Sequence, residues 1–158
     1  MTHRYTAQTV WQRGQQPFSD HLYSRRHRLV FDGGLDIPGS SSPQVVPLPM
    51  SDPQALDPEE ALVSAVSSCH MLWFLSIAAQ HGFVVDSYHD QAEGTMAPNE
   101  RKKLWLAHIR LNPVVEFSGG KRPTRDQLVA MHHEAHDECF IANSVRSEVV
   151  VVVPDDWC

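Results

Sequence analysis

Apolar residues are most concentrated between residues 57 and 82, and their pattern predicts one long helix there. Asp57 suits the N-cap, with Pro58 at the first helical position and Glu60 at the third, an arrangement similar to a capping box. Gly82 suits the position just after the helix. Because the segment has little polar face, we expect burial on nearly all sides, with a second subunit covering part of it.

A second helix and several strands are predicted around this segment. Thr124 fits an N-cap with Gln127 three positions later, and the helix is expected to run to about Cys139. Mixed β-branched, aromatic and polar residues predict strands at residues 4–12, 21–31, 83–96, 103–117 and 144–153. Six of the eleven prolines fall in residues 38–58, which predicts one irregular crossing loop. The pattern therefore predicts a single α+β domain over residues 1–158.

Composition and charge narrow the function classes. The chain has 158 residues, a net charge of -6 and no basic stripe, so we expect no nucleic-acid partner. No uninterrupted apolar run reaches the 18 residues of a membrane span, and the polar start MTHRYTAQ is unlike a signal peptide. Three cysteines without framework spacing argue against a disulfide scaffold. These features predict a cytoplasmic protein without a membrane partner, in which a cysteine pair is catalytic or metal-binding.

Two cysteine-containing segments carry a family resemblance. The segments PEEALVSAVSSCHM and AHDECFIANSV, with YSRRH and SYHDQAEGTM, resemble the OsmC/Ohr family of hydroperoxide reductases, especially its OsmC-like branch. The resemblance covers essentially the whole chain and implies antiparallel sheets packed around two central helices in an intertwined homodimer. It implies active sites at the subunit interface, an organic hydroperoxide as substrate, and a dithiol reductant such as a lipoylated protein. Cys69 matches the peroxidatic thiol, Cys139 the resolving thiol, and Glu59 and an early arginine the charged partners.

The chemistry of a reactive thiol can also be argued from the residues. A thiolate attacks a peroxide oxygen and becomes a sulfenic acid, which a second thiol converts into a disulfide. Burial in an apolar helix raises a thiol pKa, and Cys69 lies too far from the N-cap for the helix dipole to help. A nearby cation is therefore required, and Arg25 or Arg26 can supply it. Strand alternation leaves that choice open, and the resemblance favours Arg25.

Glu59 is the candidate anion for this arginine. Ten residues separate Glu59 from Cys69 on the predicted helix, which is about 15 Å along its axis. The two side chains therefore cannot share one pocket within a straight helix. Either Glu59 serves the cysteine of a partner subunit, which we favour, or a break in the helix or a long reach brings the arginine between them.

Two alternative functions remain open from the sequence. His132, His136 and Cys139 share one face of the second helix, and with Cys69 or His70 they are candidates for a zinc site. A non-catalytic dimer that binds a small apolar ligand is the other alternative. We expect no cofactor and no metal, because neither a CxxC nor an HExxH spacing is present.

Overall fold

The computed structural model describes residues 2–154 of the chain. These residues divide between two compact units, one ending at Ala61 and the other beginning at Leu62. The long helix α1, Pro58–Gln80, contributes its first turn to the first unit and the rest to the second. The single domain over residues 1–158 stays a prediction, and each unit is described by itself.

The first unit contains one three-stranded antiparallel sheet. Its strands are β1 (Ala7–Val10), β2 (His27–Phe31) and β3 (Asp36–Gly39), in that order across the sheet. β3 includes Pro38, so the irregular loop begins later than predicted. The sheet tolerates this proline because β3 lies at its edge.

The two strands predicted at residues 4–12 and 21–31 are shorter in the structure. Residues 11–26 instead form turns whose aromatic side chains contact one another. The Phe18 and Tyr23 rings stack with their centroids 4.6 Å apart, and Trp11 packs edge-on against Tyr23 with a centroid distance of 5.5 Å. Trp11 also donates a hydrogen bond to the Ser24 carbonyl at 2.8 Å. These aromatic residues, which favour strands in general, are used here in side-chain packing of a loop.

The helix α1 begins as the sequence predicts. The Glu60 amide donates to the Asp57 carboxylate at 2.7 Å, and the Asp57 amide donates to the Glu60 carboxylate at 3.3 Å. The two bonds form a capping box. The helix ends at Gln80, and Gly82 adopts a φ of 75°, the left-handed conformation that glycine accepts without strain. The predicted start and stop of this helix are confirmed.

In the second unit, two segments that were each predicted as one strand form two strands each. Residues 83–96 form two strands, β4 (Val84–Asp90) and β5 (Glu93–Pro98), and residues 103–117 form β6 (Leu104–Leu111) and β7 (Pro113–Ser118). β4 pairs with β7, and β5 pairs with β6, both antiparallel. At the break, the Asn112 amide donates to the Asp90 carboxylate at 2.7 Å and its side chain donates to the Gln91 carbonyl at 2.9 Å. These bonds hold the chain where it passes from one sheet to the other.

The second helix and the last strand complete this unit. α2 spans Arg125–Glu138, with Thr124 as N-cap in a capping box with Gln127, as predicted. A short 3-10 turn, Ala142–Ser144, precedes β8, Glu148–Val151. β8 pairs in parallel with β6, so one pair departs from the antiparallel arrangement that the family resemblance implies.

The main core of the second unit joins both helices to the β4–β7 sheet. Its buried residues from α1 are Phe74, Ile77 and Ala78, and those from α2 are Leu128, Met131 and Ala135. Within the described chain, the buried residues of α1 are few and follow helical spacing, whereas Leu72 is 61% exposed.

By length and composition α1 also satisfies the criteria for a membrane span, with a mean hydropathy of 1.6 over its most apolar window, 28% of which is buried.

Candidate functional site

The second unit brings Cys69 and Cys139 together. Cys69 lies in the middle of α1, and Cys139 is the C-cap residue of α2. Both are free thiols, and the Cys69 side chain is within hydrogen-bonding reach of Cys139. Two sulfurs seventy residues apart in sequence are therefore neighbours within one chain. Cys158, the third cysteine, lies outside the described residues.

The two thiols differ in their access to solvent. Cys69 is half-buried and lines an open cavity of about 460 Å³, which we call the thiol cavity. Cys139 is fully buried and does not line it. The residues lining the thiol cavity besides Cys69 are mostly apolar: Ala65, Ser68, Leu72, Trp73, Ser76 and Phe140. A small molecule with apolar groups can therefore reach the Cys69 sulfur but not the Cys139 sulfur.

Burial changes the acidity of Cys139. Loss of solvent raises its pKa to about 11, and the neighbouring Cys69 thiol raises it as well. The amides of Ala142 and Ile141 act in the opposite direction by donating toward the sulfur, the Ala142 amide at 3.4 Å. Cys139 is thus protonated at neutral pH. A thiol in this state is a poor first nucleophile.

A buried histidine pair joins α1 and α2 beside the thiols. His70 Nε2 and His132 Nδ1 lie 3.0 Å apart and share a hydrogen bond. The planes of the two stacked rings differ by 4°. Their exposed fractions are 1% and 2%. Burial, together with a smaller effect of neighbouring histidines, lowers the pKa of His70 to about 4 and that of His132 to about 3. Both rings are therefore neutral at physiological pH.

The first unit holds the two candidate arginines in different surroundings. Arg25 is half-buried, donates to the carbonyls of His21 (2.8 Å) and Tyr23, and stacks over the Tyr23 ring at 3.9 Å. No described carboxylate pairs with it. Arg26 is exposed and forms an ion pair with Asp52. Of the two arginines, Arg25 is therefore the one whose charge has no described anion beside it.

The two glutamates of the first helical turn also differ. Glu60 is exposed, and its carboxylate accepts the hydrogen bond of the capping box. Glu59 is half-buried and forms no hydrogen bond or ion pair with the described part of the chain. α1 is continuous from Pro58 to Gln80, so the break in the helix that was one alternative for Glu59 is not present.

The histidines and cysteines do not assemble the zinc site that was one alternative. Across residues 2–154 no three side chains of His, Cys, Asp or Glu are placed to hold a metal together. His132 instead uses Nδ1 to bond His70, and its ring stacks on Phe74 at 4.2 Å.

The family model for OsmC-like proteins matches residues 51–153. These residues include α1, both thiols and the histidine pair. The chain belongs to the OsmC-like protein family. No curated protein sequence matches it closely enough to count as a relative.

Solved structures agree with this assignment. An OsmC-like protein of unknown function from Vibrio cholerae is 48% identical, with a TM-score of 0.95 over 97% of this chain and all of that one. An organic hydroperoxide resistance protein from Elizabethkingia anophelis is 15% identical, with a TM-score of 0.68 over 97% and 96% of the two chains. The organic hydroperoxide resistance protein OhrB of Bacillus subtilis is 16% identical, with a TM-score of 0.64 over 95% and 98%. The last two likenesses concern the fold alone, and they confirm the predicted OsmC-like architecture.

Sequence reasoning missed two features of this OsmC-like protein. Trp73 and Phe140 meet at 90° with ring centroids 5.5 Å apart at the wall of the thiol cavity. Phe140 follows Cys139 directly and is 66% exposed, an unusual state for phenylalanine. The hydrogen bond between His70 and His132 was also not predicted, although both residues were considered as ligands of one zinc site.

The histidine pair predicts a specific acid sensitivity. Both folded pKa values lie below the ordinary 6.5, so the unfolded chain binds these protons first. The free energy of unfolding is then at its full value above pH 6.5 and falls as the pH is lowered from 6.5 toward about 3. Each histidine contributes a slope of up to ~1.4 kcal/mol per pH unit in that range. Urea unfolding at a series of pH values measures this.

The control is a double variant, His70→Leu with His132→Phe, which removes both titrating rings and keeps apolar volume. We expect a smaller loss of stability between pH 6.5 and 4 than in the native protein. The exposed substitution His89→Gln should leave the native slope unchanged. An equal slope in the native protein and the double variant would show that the buried pair does not control acid stability.

Proposed function

We propose that this OsmC-like protein reduces organic hydroperoxides to alcohols through Cys69 and Cys139. The observation that carries the proposal is the pairing of one thiol at the open, apolar thiol cavity with a second, fully buried thiol beside it. The likeness in fold to proteins named for organic hydroperoxide resistance supports the same class of substrate.

The accessible thiol is the one suited to attack. The Cys69 thiolate attacks the terminal oxygen of the hydroperoxide, the O–O bond breaks, and the leaving alkoxide takes a proton to become the alcohol. Cys69 is then a sulfenic acid. The Cys139 sulfur attacks it, water leaves, and a disulfide forms inside the chain. The two electrons that reduce the peroxide come from the two thiols.

The buried thiol is suited to the second step. The high pKa of Cys139 keeps it protonated and unreactive toward peroxide, and its lack of solvent contact keeps peroxide away. Its position within reach of Cys69 places it beside the sulfenic acid when that forms. The Ala142 amide, which donates to the Cys139 sulfur, favours the thiolate needed for attack.

Arg25 is proposed as the cation that stabilises the Cys69 thiolate and orients the peroxide, with Glu59 holding it in place. Arg25 is half-buried with no described carboxylate partner, whereas the charge of Arg26 is matched by Asp52. Glu59 is likewise half-buried and unpaired among the described residues. We propose that Glu59 acts on the active site of a second subunit.

A homodimer is proposed on the same grounds. Much of the apolar surface of α1 is uncovered in one chain, and Leu72, on the wall of the thiol cavity, is 61% exposed. We expect the partner subunit to cover this surface and to complete the active site at the interface. A cytoplasmic location and reduction of the disulfide by an external dithiol, such as a lipoylated protein, complete the proposal.

Counting thiols tests the two-cysteine reaction. One equivalent of cumene hydroperoxide per chain should reduce the free thiols from three to one, since two are consumed in the disulfide. Cys69→Ser should abolish turnover and thiol loss. Cys139→Ser should still consume one peroxide and leave a sulfenic acid that dimedone traps. Unchanged peroxide consumption by Cys69→Ser would refute the assigned nucleophile.

Replacing the arginines tests the activating cation. Arg25→Met should lower kcat/KM for cumene hydroperoxide by about 10²–10³-fold, the usual cost of losing a group that stabilises developing charge. Arg26→Met is the matched control and should change the rate little. Equal effects of the two substitutions would contradict the role of Arg25.

A further inference from the structure

Two aromatic side chains form one wall of the thiol cavity beside Cys69. Trp73 follows Cys69 by one turn of α1, about 6 Å along the helix axis, so the two side chains are neighbours on one helical face. Phe140 follows Cys139 directly, in the turn after α2. The two rings, which we call the aromatic wall, meet edge to face with their planes at 90°. The two-thiol reaction itself requires no aromatic side chain, so the aromatic wall needs a separate explanation.

The structure holds both residues of the aromatic wall in place. Trp73 packs against the main core of the second unit. The Phe140 carbonyl accepts a hydrogen bond from the Ser144 hydroxyl at 2.7 Å. The carbonyl of the preceding residue, Cys139, accepts one from the Asn143 side-chain amide at 3.0 Å. These bonds fix the backbone on both sides of Phe140, while its ring stays exposed at the thiol cavity.

A small molecule can reach both rings and the Cys69 sulfur from the same space. Cys69 and Trp73 are half-buried, and Phe140 is exposed. The volume of the thiol cavity, about 460 Å³, exceeds the roughly 150 Å³ that accommodates benzene. None of the described residues that line it is charged, so its walls offer no partner to a carboxylate. The space therefore suits an uncharged molecule that contains a ring.

We propose that Trp73 and Phe140 make the protein selective for hydroperoxides with an aromatic ring on the carbon that bears the peroxide group. This inference rests on the proposed reduction of organic hydroperoxides and names the preferred substrates within that class. Because the two rings of the aromatic wall are perpendicular, a third ring that lies parallel to one is perpendicular to the other. It can therefore stack on one ring and meet the other edge to face, the two arrangements that aromatic rings prefer.

Two tertiary alcohols separate aromatic contacts from hydrophobic burial. Cumyl alcohol is the product expected from cumene hydroperoxide, and its cyclohexyl analogue differs only in having a saturated ring. The saturated ring carries more hydrogens and has the larger apolar surface, so burial alone favours the cyclohexyl analogue. Each aromatic contact instead favours cumyl alcohol by about two- to tenfold. The two explanations thus predict opposite orders of affinity.

Titration calorimetry of the reduced, full-length protein should show that cumyl alcohol binds at least about threefold more tightly than its cyclohexyl analogue. Cumyl alcohol should also slow the alkylation of Cys69 by iodoacetamide, measured by mass spectrometry, because it occupies the space in front of the sulfur. Neither measurement involves turnover, so both remain interpretable if the protein does not reduce peroxides.

Variants assign the preference to the aromatic wall. Phe140→Leu should lower the ratio of the two affinities severalfold, and it alters an exposed side chain outside the core. Phe140→Tyr keeps a ring and should keep the ratio. Trp73→Leu should lower the ratio as well, whereas Phe18→Leu, at an exposed phenylalanine of the first unit, should leave it unchanged. If the proposed function holds, kcat/KM for cumene hydroperoxide relative to tert-butyl hydroperoxide should fall in the same two leucine variants of the wall.

Three results would overturn the proposal. Equal affinities, or tighter binding of the cyclohexyl analogue, would show that burial alone governs binding. A ratio that stays the same in Phe140→Leu would remove the role of the aromatic wall. Cys69 alkylation that neither alcohol slows would place the ligands outside the thiol cavity.

Discussion

The buried bond between His70 and His132 and the apolar contacts around it fix α1 against α2, and the thiol pair depends on that fit. Cys69 precedes His70 directly, and Cys139 lies two helical turns beyond His132. A slip of one helix along the other would break this bond and leave buried nitrogens unpaired, at a cost of about 1–3 kcal/mol each. Apolar attraction is non-directional, whereas a hydrogen bond constrains both distance and angle. The polar pair therefore specifies the register that brings the sulfurs together.

The same fit makes the two thiols unequal. Cys69 lies in the middle of a helix that borders the open thiol cavity, whereas Cys139, the C-cap residue of α2, is itself fully buried. Burial is the largest cause of the raised pKa of Cys139, and the turn that follows supplies the opposing amide donor. The proposed reaction requires this difference, because in it the first thiol meets the peroxide and the second reacts only with the sulfenic acid.

The sequence predicted the features that depend on local chemistry. The capping residues Asp57 and Thr124 marked both helix starts, because side-chain capping acts within one turn. The strand breaks near Asn112 were not predicted, because they rest on bonds to residues more than twenty positions away. The cysteines were found through their motifs, but their unequal burial and the histidine pair follow from helix packing that periodicity does not encode. The predicted roles of Arg25 and Glu59 remain predictions, and that of Glu59 involves a partner subunit.

The central claim is that Cys69 and Cys139 are positioned to bond to each other without rearrangement of α1 against α2. A crystal structure of the protein after one equivalent of cumene hydroperoxide tests it most directly. The account predicts electron density for a bond of about 2.05 Å between the two sulfurs of the same chain, with the His70–His132 bond retained. Separate sulfurs with Cys69 remaining as a sulfenic acid, or a disulfide from Cys69 to Cys158, would contradict it.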